Sequence, residues 1–160
     1  MKTTQGIWRR IRIISILLIA VLIVSIVGCE TFGPKYASMK SNIIPLSKEK
    51  SRIVFYRSKG IYEYRRRPEI ILNEKKVGIS RPGTIFFVDV DPGNYKVRVP
   101  VMLSPGETSI DISTLPNETI YVKTSMGAKA IKGRTDVEVV KPERAITEID
   151  KLEFMAEPTK

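Results

Sequence analysis

From Arg52 onward, Pro, Gly, Asn and Asp break the chain into short apolar runs, and this punctuation constrains the fold more than any other feature. Runs of that length suit strands and leave little room for interior helices. Strands are expected at Arg52–Arg57, with Ile53 and Phe55 on one face, and at Pro68–Asn73, which carries Ile70-Ile71-Leu72. Others are expected at Val77–Ile79, Thr84–Val90, Tyr95–Val99, Glu107–Ser113, Thr119–Thr124 and Asp136–Val140. Tyr95–Val99 alternates, with apolar residues at odd positions and Lys96 and Arg98 between them, as a strand with one wet face does. Turns fall at Asn73–Lys76, Arg81–Gly83, Asp91–Asn94 and Leu115–Glu118. Asn117-Glu118-Thr119 spells a glycosylation sequon and is read as part of such a turn. Eight short strands at this spacing predict a mainly β, antiparallel sandwich or barrel. The period changes only after Pro142, where Ala145, Ile146, Ile149 and Leu152 fall at helical spacing. One amphipathic helix over roughly 142–154 is expected to close an edge or an end of that domain.

The N-terminus has a different grammar. Lys2, Arg9, Arg10 and Arg12 precede any acid, and Ile13–Val27 follows as an apolar run with only Ser15 and Ser25 polar. The run is short for a membrane span, which needs about 20 residues, and it fits a secretory signal helix. It ends in Ile26-Val27-Gly28-Cys29, which resembles a lipobox, the bacterial lipoprotein processing site, with Ile26 in place of the commoner leucine. That resemblance implies cleavage between Gly28 and Cys29, a diacylglycerol on the Cys29 thiol and an N-acyl lipid (palmitate, typically) on its new amine. Glu30 follows, and by the resemblance the absence of Asp there implies delivery to the outer membrane, on its periplasmic side, rather than retention at the inner membrane. The expected organisation is a signal peptide at 1–28, a lipidated tether at 29–51 and the β domain at 52–156.

Within the β domain, Val54-Phe55-Tyr56-Arg57, Ile71-Leu72-Asn73, Val77-Gly78, Gly83–Phe87 and Pro92-Gly93-Asn94-Tyr95 occur in a telling order. The series resembles the bacterial lipoprotein family built on domain of unknown function 2846 and, more loosely, PEGA-type surface modules. The resemblance covers about residues 52–154. It implies a single β-sandwich of transthyretin-like or immunoglobulin-like topology and carries no catalytic residues. Read physically, Gly78 marks a close approach or a positive φ, and Pro92-Gly93 a tight reversal with Tyr95 dropping inward beside it.

Composition removes whole classes of chemistry. The chain has no histidine and a single cysteine, so Ser-His-Asp and Cys-His catalysis, His-ligated metal, Cys-based zinc sites and an intrachain disulfide framework are all excluded. With 42% apolar and 28% charged residues it is a globular chain rather than a disordered one. The net charge of +10 falls to +6 once the four cations of the signal are removed. Lys35 to Lys76 holds 12 Lys and Arg against four acids, so the remainder of the mature chain is slightly acidic.

Within that basic half, Arg65, Arg66 and Arg67 follow Tyr62 and Tyr64 in the loop between the first two strands. Guanidinium forks suit phosphates and carboxylates, making these three the candidate anion-binding residues for an envelope polymer or lipid. Asp89, Asp91 and Asn94 could collect Ca²⁺, but their types are also those of turn residues, so no metal or other cofactor is expected. Glu107, Asp111, Asp136 and Glu138 fall on solvent-facing positions, and nothing singles out a hydrolytic pair. The expectation is a non-enzymatic binding or assembly lipoprotein that meets the membrane through its anchor and does not bind nucleic acid. The alternatives are a partner-docking lipoprotein of an envelope secretion machine, which would meet another envelope protein, and a carboxylate-dependent envelope hydrolase.

Overall fold

The structure, a computed structural model, describes residues 33–60, 67–100, 107–125 and 135–155. The chain divides into two compact units, Met1–Thr31 and Phe32–Lys160. The second is a β-sandwich. The expected signal peptide, with Gly28 and Cys29, lies outside the described residues.

All eight expected strands are present: β1 (Ser51–Arg57), β2 (Glu69–Leu72), β3 (Lys75–Ile79), β4 (Thr84–Val90), β5 (Gly93–Pro100), β6 (Glu107–Thr114), β7 (Thr119–Ser125) and β8 (Asp136–Val140). A ninth, β9 (Glu153–Phe154), follows helix α2 (Pro142–Ile149), while the short helix α1 (Tyr36–Met39) precedes β1. One sheet runs β8-β7-β1-β4-β9 and the other β3-β2-β5-β6. The four-stranded sheet is antiparallel throughout. The five-stranded sheet is mixed, because β1 pairs parallel with β7 and β4 with β9. These partners are far apart in sequence, so no hairpin dictates their direction.

Ile53, Phe55, Val97, Val99 and Val122 fill the space between the sheets with no exposure at all. They pack with Ile70, Leu72, Val77, Phe86, Ile112 and Val137. The Phe55 and Phe86 rings stack at 5.3 Å. A register shift between Ile70 and Ile71 leaves Val77 as an extra residue on β3, so Val77 and Gly78 are both buried. A Cβ on Gly78 would sit 2.4 Å from the Phe86 ring. The sequence reading offered crowding or positive φ for this glycine, and crowding by a ring of the facing sheet is the reason.

The five-stranded sheet is covered on its outer face as well. Val54, Tyr56, Ile85 and Val140 meet Ala145, Ile149, Leu152 and Phe154 there, with Tyr36 and Met39 of α1 alongside. Every residue of β1 is therefore buried, where alternation had suggested a single inward face. This corrects the role expected of the C-terminal helix: α2 ends at Ile149 and lies on a sheet face, while β9 supplies the edge. The chain breaks helix at Asp150 and returns to the sheet, and Leu152 still packs inward from the turn.

The expected tether is also shorter than its sequence suggested. Phe154 N donates to Pro34 O at 2.8 Å, and Tyr36 N to Leu152 O at 2.7 Å. Lys40 pairs with Asp150 at 2.6 Å, and the Arg52 guanidinium reaches Ile44 O. The segment is docked from residue 34, because an otherwise open β9 edge offers it backbone partners.

The turns follow their residues. Asn73 and Glu74 both take positive φ in a two-residue hairpin, and Gly83 sits at φ +76°. Asp91-Pro92 carries the chain from one sheet to the other rather than closing a hairpin. Tyr95 is half-buried beside this crossing and donates its hydroxyl to Asp91 O.

Candidate functional site

Strand direction collects the longer connections at one end of the sandwich. β1 and β7 finish there, and β4, β8 and β9 begin there. Ser80, after β3, accepts from the Arg57 guanidinium at 3.2 Å, which places β3 at the same end. Of the three candidate arginines only Arg67 is described, exposed just before β2; Arg65 and Arg66 lie outside the described residues. Arg57 is 1% exposed at the end of β1. Beside it the Ser80 and Thr124 hydroxyls share a 2.7 Å hydrogen bond. The hollow here, bounded by Phe55, Ile79, Arg81 and Thr84, is a shallow open depression with essentially no enclosed volume. Small-molecule pockets run from roughly 300 Å³ upward, so this hollow is too small for a ligand of ordinary size.

At the opposite end the expected calcium candidates separate. Both Asp89 oxygens are taken by Arg52, at 2.6 and 2.8 Å, and that guanidinium also lies 4.0 Å from the centre of the Phe87 ring. Asp91 pairs with Lys50 at 2.8 Å. The Asn94 side-chain oxygen accepts from Ser113. Among the described residues no three His, Cys, Asp or Glu side chains gather as metal ligands. Glu107 pairs with Arg98 and Glu138 with Arg144, while Asp111 and Asp136 are exposed.

A cluster that the sequence did not single out lies under α2. Glu148 accepts from the Tyr56 hydroxyl at 3.0 Å, from Lys123 at 2.7 Å and from Arg144 at 2.9 Å. Partial burial pushes the Glu148 carboxyl up, but the hydrogen bonds from Lys123, Arg144 and Tyr56 together outweigh it and hold it below its ordinary value. Burial, and then the bond to Glu148, push the Tyr56 phenol far above its own. At neutral pH both groups are thus fixed in one protonation state. They pin the helix to the sheet, and neither is poised to move a proton.

A second group surrounds the start of β9. Lys35 bridges to Glu153 through the backbone, and Lys59 Nζ lies 3.6 Å from the Glu153 carboxylate. The Lys59 stem packs against Gly83, two residues after Arg81, and Gly83 O accepts from Glu153 N at 2.9 Å. Lys151 is exposed two residues before Glu153. Four distant stretches of sequence meet here, and no local pattern could have announced it.

No protein-family model matches the chain, and no curated protein is similar enough to count as a relative. The likeness to the family of domain of unknown function 2846 rests on the ordered motifs alone, and each motif has a structural use in a strand, a turn, a bulge or a sheet crossing. Among the described residues no helix is long and apolar enough to cross a membrane.

Proposed function

We propose that this chain is a bacterial envelope lipoprotein of the kind the family resemblance implies. It is exported by residues 1–28, acylated on Cys29 and held at the periplasmic side of the outer membrane. There it works as a non-enzymatic binding or assembly module. The observation that carries the reading is the order of parts: cations, an apolar run, Ile26-Val27-Gly28-Cys29, and then a compact sandwich. One acyl chain holds a protein only marginally, whereas two or three anchor it stably.

The non-catalytic half of the reading draws support from what the polar groups are doing. The chain has no histidine, Asp89, Asp91, Glu107, Glu138 and Glu148 all sit in ion pairs, and the hollow beside Arg57 is small. The decisive experiment compares the wild type with Cys29→Ala in cells fed labelled palmitate. The wild type takes up label and fractionates with outer membranes, and the variant does neither. Equal labelling and equal fractionation of the two would refute the anchor.

A further inference from the structure

We infer that the corner of the sandwich around β9 is a lipid-facing surface, seated on the phosphate-bearing headgroups of the bilayer that holds the anchor. This rests on acylation of Cys29 as proposed above. The first argument is chain length. Gly33 lies against Phe154 so closely that a Cβ on it would overlap the Phe154 carbonyl oxygen at 1.9 Å. The chain is thus already fixed to the domain at residue 33. Only three residues separate it from Cys29, so the four steps between them span about 14 Å at full extension. A domain on so short a lead cannot stand clear of the membrane surface.

The second argument decides which part faces the membrane. Phe154 pairs with Ile85, the second residue of β4, so the lead joins the sandwich near the end where β4 starts. The far end of that strand, Val90, is five residues on, about 17 Å away. Around the junction are Lys35, Lys40, Lys59, Arg81 and Lys151. The acids described among them are Asp150 and Glu153, already engaged by Lys40 and Lys59. The side chain of Lys59 is 71% exposed, and Lys35 and Lys151 are exposed too. The opposite end mixes Glu49, Glu74, Asp91 and Glu118 with Lys48, Lys50 and Lys75, so these groups carry no net positive charge. Within a Debye length of about 10 Å, an anionic surface attracts the lysine corner and is indifferent to the other end.

The test uses the full lipidated protein in vesicles of 30 mol% phosphatidylglycerol in phosphatidylcholine, against vesicles of phosphatidylcholine alone (composition on the order used for anionic leaflets). Lysines are acetylated briefly and counted by mass spectrometry, which also reports the lipid on Cys29. Expected is a fall of about threefold or more in labelling of Lys35, Lys59 and Lys151 on the anionic vesicles, reversed by high salt. Lys48, Lys75 and Lys96 should label alike on both. In Lys35→Gln/Lys151→Gln, two exposed positions, Lys59 should lose most of its protection while the protein stays vesicle-bound. Acylated protein whose two sets of lysines label equally on both vesicles overturns this inference alone. So does protection that appears only in native membranes and never in protein-free vesicles, which would make the occupant a protein. A protein with no lipid on Cys29 overturns both this inference and the anchor.

Discussion

Gly78 and Glu148 are single residues whose environments make opposite demands. At Gly78 the constraint is space. A methyl group there would meet the Phe86 ring at 2.4 Å, and the ring is locked by its stack on Phe55. Gly78→Ala should cost about 1–3 kcal/mol, the usual range for overpacking a core. Urea unfolding of Gly78→Ala, Phe86→Leu and the double variant should show that the two changes together cost less than their sum; strict additivity would mean the ring is not the obstacle. At Glu148 the constraint is charge. Its folded pKa lies below the unfolded value, so its ionised form stabilises the native state above the ordinary carboxylate range. That contribution is lost as pH falls from about 4.5 through the folded value. Glu148→Gln should destabilise the fold at pH 7 by about 1.5–3 kcal/mol, the range for a charged hydrogen-bonded group, seen as a lower Tm, and flatten the acid side of the curve below pH 4.5. Thermal melts from pH 7 to pH 3 check both halves, and parallel curves for the two proteins would contradict the assignment.

At the scale of elements, α2 is a cover for a sheet face. Ile149 is 1% exposed beneath it, while Ile146, one turn earlier, is 45% exposed. Periodicity alone gives both the same apolar role. Packing against Val54, Ile85 and Val140 separates them. Ile149→Ala should cost about 2–4 kcal/mol and Ile146→Ala less than about 1 kcal/mol, read as the shift in urea midpoint at constant slope. Similar costs at the two positions would place the helix at an edge or an end of the sandwich, the role its sequence predicts. β9 shows why that expectation differed: a two-residue strand after a helix carries too little pattern to be read, and its partner, the start of β4, is some seventy positions upstream.

At the scale of the whole molecule, β1 is the centre of three layers: the four-stranded sheet, the five-stranded sheet, and the cover formed by α1, α2 and the segment from residue 34. The cover is held by backbone bonds between Pro34, Tyr36, Leu152 and Phe154, so the N- and C-terminal segments stand or fall together. Truncation after Lys141 removes α2 and β9, leaves Val54, Tyr56, Ile85 and Val140 uncovered, and deprives residues 34–36 of their partners. Such a chain should aggregate or fail to fold, seen as loss of the monomer peak in size-exclusion chromatography. A stable, monomeric truncated sandwich would show that the outer layer is an accessory.

The sequence by itself determined the strands, the turns and the class. Each depends on local chemistry: the two-residue alternation of Tyr95–Val99, the positive φ that Asn73 and Gly83 tolerate, and the helical period after Pro142. It also determined the absence of histidine chemistry, because composition needs no fold. Tertiary structure decided the rest. Arg52 meets Asp89 through the antiparallel pairing of β1 with β4, Tyr56 meets Glu148 where α2 packs on the sheet face, and Lys35, Lys59 and Lys151 gather where β9 pairs with the start of β4. The same long-range contacts turned a presumed tether into part of the outer layer. A strand edge with unpaired backbone groups takes whatever segment is near, and which segment that is depends on topology, to which local sequence is blind.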